Sequence, residues 1–195
     1  RNHYSKENGE QILTFPTVSA PESLKYVLTG NLPELFANTM NFINPDEEMP
    51  VNKRLGYFRY RAIEYLNDNT HRQLYEGRNI EVERVADQLA NIMQLLLVKR
   101  LESSFDAFKE SLSNLLQYTK NMIEMWNHDC IFICPQINVN AEFDLKTYPD
   151  RTFAERAAAI RQKIQKLDKD GRNQKQSNRE YKREDFNAEY IEKLE

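Results

Sequence analysis

The chain has 195 residues, of which 40% are hydrophobic and 29% are charged, and its formal net charge at pH 7 is −3. This length suffices for one domain, or for one domain with a poorly packed extension, and no apolar run is long enough to predict a membrane span. The negative net charge gives no overall electrostatic case for nucleic-acid binding, although local basic patches can still act.

The cysteines and the chain ends bear on the cellular setting. Cys130 and Cys134 are the only cysteines, which disfavours a disulfide-stapled secreted fold and favours a reducing cytoplasm. The sequence starts at Arg1 without an initiator Met, and it ends in Leu194-Glu195, a pair common in cloning scars before a purification tag. These features predict an excised piece of a longer protein.

The first third of the chain predicts one short strand and two helices. Alternating apolar and polar residues predict a strand over Glu22–Leu28. Pro33 suits a first helical turn, so a helix is predicted from there to about Phe42. A second helix, rich in aromatic and basic residues, is predicted over Asn52–Asn67.

The longest predicted element is a helix from Glu81 to about Trp126. Its apolar residues recur at helical spacing, and neither Pro nor Gly interrupts it. Such a helix would extend roughly 70 Å, several times the ordinary length. We therefore expect either a protruding arm or two helices broken near Ser103, where Ser103 and Asp106 fit a capping box. The pattern favours a continuous or merely bent helix.

The C-terminal third predicts a strand followed by two helices. These elements are a short strand or buried extended segment over Asp129–Cys134, a helix over 153–170 with a Thr152/Glu155 capping box and Gly171 as its cap, and a last helix over about 180–193.

Charge is distributed unevenly along the chain. Residues 1–150 contain 15 Lys/Arg and 21 Asp/Glu, a net of −6, whereas residues 151–195 contain 12 and 9, a net of +3. We therefore predict a helical domain over 1–150 and a basic helical extension over 151–195. The fold class is predicted as mainly α, a long helical hairpin or irregular helical bundle with one or two short strands.

The sequence lacks the motifs of nucleotide and metal chemistry. None of its five glycines opens a phosphate-cradling loop that continues to Lys and Ser/Thr. The acidic run 46–48 follows Asn44-Pro45 rather than a buried strand, so a solvated loop is favoured over a metal site. His128, Cys130 and Cys134 lack the fourth ligand and the tight cysteine spacing of structural zinc sites. We predict no catalytic residue, no metal site and no cofactor in this piece.

Arginines interleaved with aromatic residues form one candidate nucleic-acid contact. Arg59 and Arg61 lie beside tyrosines and a phenylalanine, and such a mixture can hold phosphates and stack bases. Core packing of the aromatic residues is the favoured alternative. Lys99 and Arg100 can similarly meet phosphates, carboxylates of a neighbouring domain, or only local Glu residues.

The centre of the long predicted helix departs from the pattern of a surface helix. Leu95 to Val98 is apolar on every side, which predicts that other protein encloses it. Charged Lys99, Arg100 and Glu102 follow, and a buried charge needs a partner. The small residues Ser103 and Ser104 come next. The combination predicts a helix docked against a neighbouring domain.

This segment also resembles a motif of bacterial Swi/Snf-like superfamily-two DNA helicases. The matching residues within 97–112 are Arg100, Leu101, Ser103, Ser104, Ala107, Ser111 and Leu112. Upstream, Leu13–Pro16 and Leu24–Leu28 also look like the sequence that follows the first motor lobe in such proteins. The resemblance implies that the chain is the helical region between the two RecA-like motor lobes.

In that family the lobes bind ATP and Mg²⁺ and move along duplex DNA. The resemblance therefore implies ATP and magnesium for the complete protein, with its motor lobes and DNA as partners. The nucleotide-binding loop and the acidic magnesium motif are absent here, so no ATPase residue transfers. An interdomain docking role transfers to Arg100, Glu102, Ser103 and Ser104. The alternative is a stand-alone helical adaptor that dimerises through its long helix.

Overall fold

The computed structural model describes residues 6–7, 10–11, 19–20, 22, 27, 29–45, 55–76, 80–144 and 147–195. The chain divides into two compact units, 1–36 and 37–195. In the first unit, strand β1 (Lys6–Glu7) pairs antiparallel with strand β2 (Glu10–Gln11). Of the strand predicted over Glu22–Leu28, only Glu22 and Val27 are described, and neither belongs to a strand; the rest lies outside the described residues.

Helix α1 (Leu32–Ile43) confirms the predicted helix that begins near Pro33. The helix predicted over Asn52–Asn67 is wrong across its described part. Two 3₁₀ turns, Phe58–Tyr60 and Ala62–Tyr65, lie there instead.

The backbone around Tyr57 explains this difference. Tyr57 has φ 55°, a left-handed conformation that cannot continue a right-handed helix. Its hydroxyl donates to the carbonyl of buried Ile43 at 3.0 Å, which holds it in place. Gly56 lies beside it, and a Cβ at this position would clash with the Phe58 ring unless that ring moved. Helix α2 (Asn69–Gln73) follows, capped by Asp68, whose carboxylate accepts from the amide of Thr70 at 2.7 Å.

The predicted continuous or bent helix over 81–126 is wrong, because the chain breaks at Ser104. Helix α3 (Val82–Ser103) ends there and helix α4 (Phe105–Asn127) begins. Ser104 is extended, with φ −165° and ψ 125°, and its Oγ accepts from the amide of Ala107 at 3.3 Å. The capping residue is therefore Ser104, one position after the predicted one. The break lets α3 and α4 pack against each other and buries Leu97 and Leu115.

Short elements connect the hairpin to the rest of the second unit. Strand β3 (Ile131–Ile133) pairs antiparallel with strand β4 (Arg179–Tyr181), with Phe132 opposite Glu180. Between them lie helix α5 (Val139–Glu142) and helix α6 (Phe153–Lys169), and the predicted Thr152/Glu155 capping box of α6 is confirmed. Gly171 follows with φ 64°.

The helix predicted over 180–193 is correct only at its end. Strand β4 and a 3₁₀ turn over Arg183–Asp185 occupy most of its first half, and helix α7 covers Glu189–Leu194. Pairing with β3 supplies β4 with backbone partners that lie far away in sequence, which local periodicity cannot reveal.

The main core lies where the end of α4 meets β3, β4, α6 and α7. Its buried residues include Met122 and Trp126 from α4, Ile160 from α6, and Tyr181 and Tyr190 from later elements. Residues on both sides of position 150 thus share one core, and the change of charge near 150 does not coincide with a break in this packing. The fold is mainly α, as predicted. In the part of the chain that the structure describes, no helix combines the length and apolar character needed to cross a membrane.

Candidate functional site

Helix α3 exposes an apolar face beside the hairpin turn. Leu89, Ile92, Leu95 and Leu96 are exposed by 42%, 55%, 54% and 46%, whereas Leu97 is fully buried against α4. The stretch predicted to be enclosed on every side is therefore enclosed on one side only by the described residues. The outward side of the helix is exposed among them, and we call Leu89, Ile92, Leu95 and Leu96 the α3 apolar face.

The predicted docking residues lie at the C-terminal end of the same helix. Arg100, Glu102, Ser103 and Ser104 are all exposed, as is Lys99. Ser103 Oγ and the Ser104 amide donate to the Arg100 carbonyl at 3.2 and 2.8 Å, so the backbone of the turn is satisfied locally. None of the charged side chains of Lys99, Arg100 and Glu102 forms an ion pair with any described residue. Their charges remain available to a partner.

The two arginines predicted to contact nucleic acid differ in their surroundings. Arg61 pairs with Glu64 at 3.0 Å and with Asp87 at 2.8 Å, so its charge is balanced within the chain. Arg59 forms no ion pair within the described part of the chain, and its Nε is buried without a hydrogen-bond partner. Of these two arginines, Arg59 is therefore the one with a donor that has no hydrogen-bond partner among the described residues.

Three cavities adjoin around Tyr60 and Tyr118, a feature that the sequence did not predict. The Arg59 cavity has a volume of about 680 Å³, the Arg100 cavity about 200 Å³ and the amide cavity about 440 Å³. Tyr60 lines the first two, and Tyr118 lines the last two. Asn140 lines both the amide cavity and the Arg59 cavity. We call the three together the Tyr60–Tyr118 groove.

Side-chain amides dominate the middle of this groove. Asn121 is 2% exposed, and its Oδ1 accepts from Gln117 Nε2 at 2.9 Å. Its Nδ2 donates to Asn140 Oδ1 at 3.3 Å. Asn114 lies one turn before Gln117 and lines the same cavity. The sequence signal for this surface was a row of polar residues at helical spacing on α4, namely Asn114, Gln117 and Asn121.

The surroundings of Tyr60 in the groove affect its ionisation. The pKa of Tyr60 is raised, first by burial and also by the nearby phenol of Tyr118, while the charge of Arg59 opposes both. Both rings are half-buried. They therefore present partly exposed aromatic surface beside hydrogen-bonding amides.

Two further arginines form double contacts with carboxylates inside the chain, and these pairs stabilise the fold. Arg156 donates to both carboxylate oxygens of Glu124 at 2.8 and 3.1 Å and lies 4.8 Å from the centre of the Phe143 ring. Arg161 makes a similar double contact with Glu180 at 2.6 and 2.7 Å. These geometries satisfy both partners and leave little for a ligand.

The two cysteines have the properties of structural thiols. Burial raises the pKa of Cys130 to about 12, with the neighbouring Glu180 adding to the effect. Burial likewise raises the pKa of Cys134 to about 12. Because the thiolate is the reactive form, both thiols are poor nucleophiles near neutral pH. Among the residues that the structure describes, no three His, Cys, Asp or Glu side chains are grouped so that they could hold a metal ion.

Comparison of the chain with protein-family models, curated protein sequences and solved structures finds no match.

Proposed function

We propose that the chain is a non-catalytic helical region between the two motor lobes of an ATP-dependent DNA helicase or translocase. It docks on a lobe through the α3 apolar face and the adjoining residues Arg100, Glu102, Ser103 and Ser104. The observation that supports this proposal is that exposed apolar side chains along α3 are followed, at its C-terminal end, by charges that have no ion-pair partner among the described residues. The resemblance within 97–112 falls on the same end.

The magnitude of the apolar contribution is adequate for docking. Full burial of a Leu or Ile side chain contributes about 1.5–3 kcal/mol. The four side chains of the α3 apolar face are roughly half exposed, so covering them would contribute roughly 3–6 kcal/mol. The exposed Ser103 and Ser104 would allow close approach, and Arg100 and Glu102 would set the register by charge pairing.

In this proposal ATP and magnesium bind the motor lobes of the complete protein, and DNA is engaged together with them. The chain couples ATP hydrolysis by the lobes to their binding of DNA. The complete protein acts in the cytoplasm.

The test is DNA-stimulated ATP hydrolysis by the complete protein with Arg100→Ala. We expect DNA stimulation to fall roughly tenfold, as the loss of an interfacial charge pair worth about 1.4 kcal/mol would give. Arg172→Ala is the matched control, because Arg172 is an exposed arginine on the loop after α6 that lines none of the three cavities. Undiminished DNA stimulation in the Arg100 variant would contradict the proposal. So would a reading frame without nucleotide-motor motifs on both sides of this chain.

The α3 apolar face also suits a second candidate function, a helical adaptor that dimerises through α3. Sedimentation of the 195-residue chain separates the two. A monomer at micromolar concentration favours lobe docking, whereas a tight dimer that Leu95→Ser dissociates favours the adaptor.

A further inference from the structure

We infer that the Tyr60–Tyr118 groove binds unpaired nucleotides of a single-stranded DNA segment. The inference deepens the proposed function, on which it rests for the choice of DNA as ligand. It names the surface of this chain that would touch the nucleic acid and the part of the nucleic acid that it would hold.

The first step of the argument is the aromatic surface. Tyr60 and Tyr118 come from a 3₁₀ turn and from α4, and both line the Arg100 cavity. Their side chains are half-buried, so each keeps part of its surface open to solvent. Every base has a flat π-face, and stacking on such rings is the usual means of holding single strands without a fixed sequence.

The second step is the hydrogen-bonding capacity beside the rings. Two hydrogen bonds join the side-chain amides of Gln117, Asn121 and Asn140. They use Gln117 Nε2 with Asn121 Oδ1, and Asn121 Nδ2 with Asn140 Oδ1. Gln117 Oε1 and Asn140 Nδ2 are left without a hydrogen-bond partner among the described residues, as is the side chain of Asn114. A free acceptor and free donors suit the edge of an unpaired base, which carries both kinds of group.

The third step is charge at the two ends of the groove. Arg59 lines one cavity and has a buried Nε without a partner. Arg100 lines another and forms no ion pair among the described residues. A neutral sugar could not form ion pairs with these two guanidinium groups, which have no ion-pair partner among the described residues. The phosphates of a nucleotide strand could form such pairs.

Duplex DNA does not fit this arrangement as well as a single strand. The amide cavity and the Arg100 cavity have volumes of about 440 and 200 Å³, which suit individual bases rather than a double helix. Base faces are covered by their neighbours in a duplex, so the two rings can stack only on bases that have left it.

The experiment measures fluorescence anisotropy of a labelled 20-nucleotide mixed-sequence strand titrated with the 195-residue chain. An abasic strand of equal length and the corresponding duplex are the competing probes. We expect the intact strand to bind more tightly than either of them. Tyr118→Ala should weaken binding of the intact strand about 5- to 150-fold, the range for loss of one stacked base. Tyr118→Phe, which keeps the ring, should stay within about threefold of the wild type.

Matched controls separate the groove from general effects. Tyr148 is half-buried and lies under Arg151, 3.6 Å from its guanidinium carbon, and it does not line the groove. Tyr148→Ala should leave binding of the strand unchanged. Asn114→Asp places a negative charge in the groove at an exposed helix position and should weaken binding, whereas Asn91→Asp adds the same charge on α3 without effect. This exposed pair keeps the test decisive if Tyr118→Ala does not fold.

Three results would overturn the inference: no binding of the intact strand, equal binding of the intact and abasic strands, or equal affinity of the Asn114→Asp and Asn91→Asp variants. Because the assay uses the 195-residue chain alone, its failure leaves the ATPase test of lobe docking untouched. Conversely, Leu95 lines none of the three cavities, so strand binding by the chain together with undiminished ATPase coupling in the Leu95→Ser complete protein would reject docking and retain the groove.

Discussion

Apolar side chains of helix α4 lie in opposite environments along the helix. At the C-terminal, closed end, Met122 and Met125 are completely buried in a core that includes aromatic residues from α7 and its preceding loop. Phe105 at the start of the helix and Leu116 at its middle are each 56% exposed, although Phe108 and Leu115 between them are buried. An apolar stripe in the sequence therefore predicts a surface that is buried by protein, but it does not show whether the same chain or a partner buries it.

The strongest contrast comes from Tyr190, which lies at the centre of the closed end. Its ring stacks on Phe186 at 5.5 Å and meets Trp126 at 6.0 Å, and it has no exposed surface. Tyr190→Ala should lower the free energy of unfolding by about 3–5 kcal/mol in urea denaturation, because it leaves a cavity among these rings.

Removing only the hydroxyl of Tyr190 is a control that should not lower the free energy of unfolding. It is buried without a hydrogen-bond partner among the described residues, and burial raises the pKa of the phenol. Tyr190→Phe should therefore be at least as stable as the wild type, since an unsatisfied polar group is removed. A loss above 1 kcal/mol would show that the hydroxyl has a partner.

The next largest effect is expected for the buried pair of Arg156 and Glu124. The side chain of Arg156 is only 9% exposed, and that of Glu124 is 35% exposed. Arg156→Ala should cost about 2–3 kcal/mol by chemical denaturation, because it leaves a half-buried carboxylate without its cation. Arg172→Ala, which removes an exposed pair at 3.5 Å from Asp170, should stay within about 0.5 kcal/mol. Equal effects of the two would contradict the contrast between a buried and an exposed ion pair.

A smaller, pH-dependent effect is expected for Glu180 in the closed region. Its hydrogen bonds from Arg161 outweigh burial and lower its pKa. A lowered native pKa stabilises the fold above the ordinary value of 4.5, and this contribution is lost as the pH falls through the native pKa. Glu180→Gln should therefore reduce the loss of stability between pH 5 and pH 3, by at most about 1 kcal/mol. An unchanged pH dependence in thermal denaturation would contradict this contribution.

The smallest effect is expected on the α3 apolar face. Ile92→Ser and Leu95→Ser remove exposed side chains and change helix propensity little. Each should alter the free energy of unfolding of the isolated chain by no more than about 0.5 kcal/mol. A loss of more than 2 kcal/mol would mean that this chain itself covers the face.

Local signals in the sequence predicted what local interactions determine. The Thr152/Glu155 capping box and Pro33 marked helix starts correctly, because the residues that cap a helix lie within one turn of it. The sequence indicated a possible break near Ser103 but favoured a continuous or bent helix, whereas the chain breaks at Ser104, whose hydroxyl caps α4. The break allows α3 to pack against α4, and this packing stabilises two separate helices over one continuous helix.

Non-local contacts explain the predictions that were wrong. The helix around Tyr57 failed because that side chain reaches back to the carbonyl of Ile43, and strand β4 depends on β3, about 50 residues earlier. The Tyr60–Tyr118 groove was missed for the same reason, since its rings and amides come from three separated segments. The exposure of Arg100 and Ser103 agrees with the docking hypothesis but could not be read from spacing alone.

Hydroxyl-radical footprinting tests the central claim most directly, because it reports the solvent exposure of individual side chains. In the 195-residue chain, Leu89, Ile92, Leu95 and Leu96 should be oxidised readily, and the fully buried Met125 should be protected. In the complete protein, we expect the four residues of the α3 apolar face to become protected while Met125 is unchanged. Equal oxidation of the four residues in both proteins would contradict docking through this face.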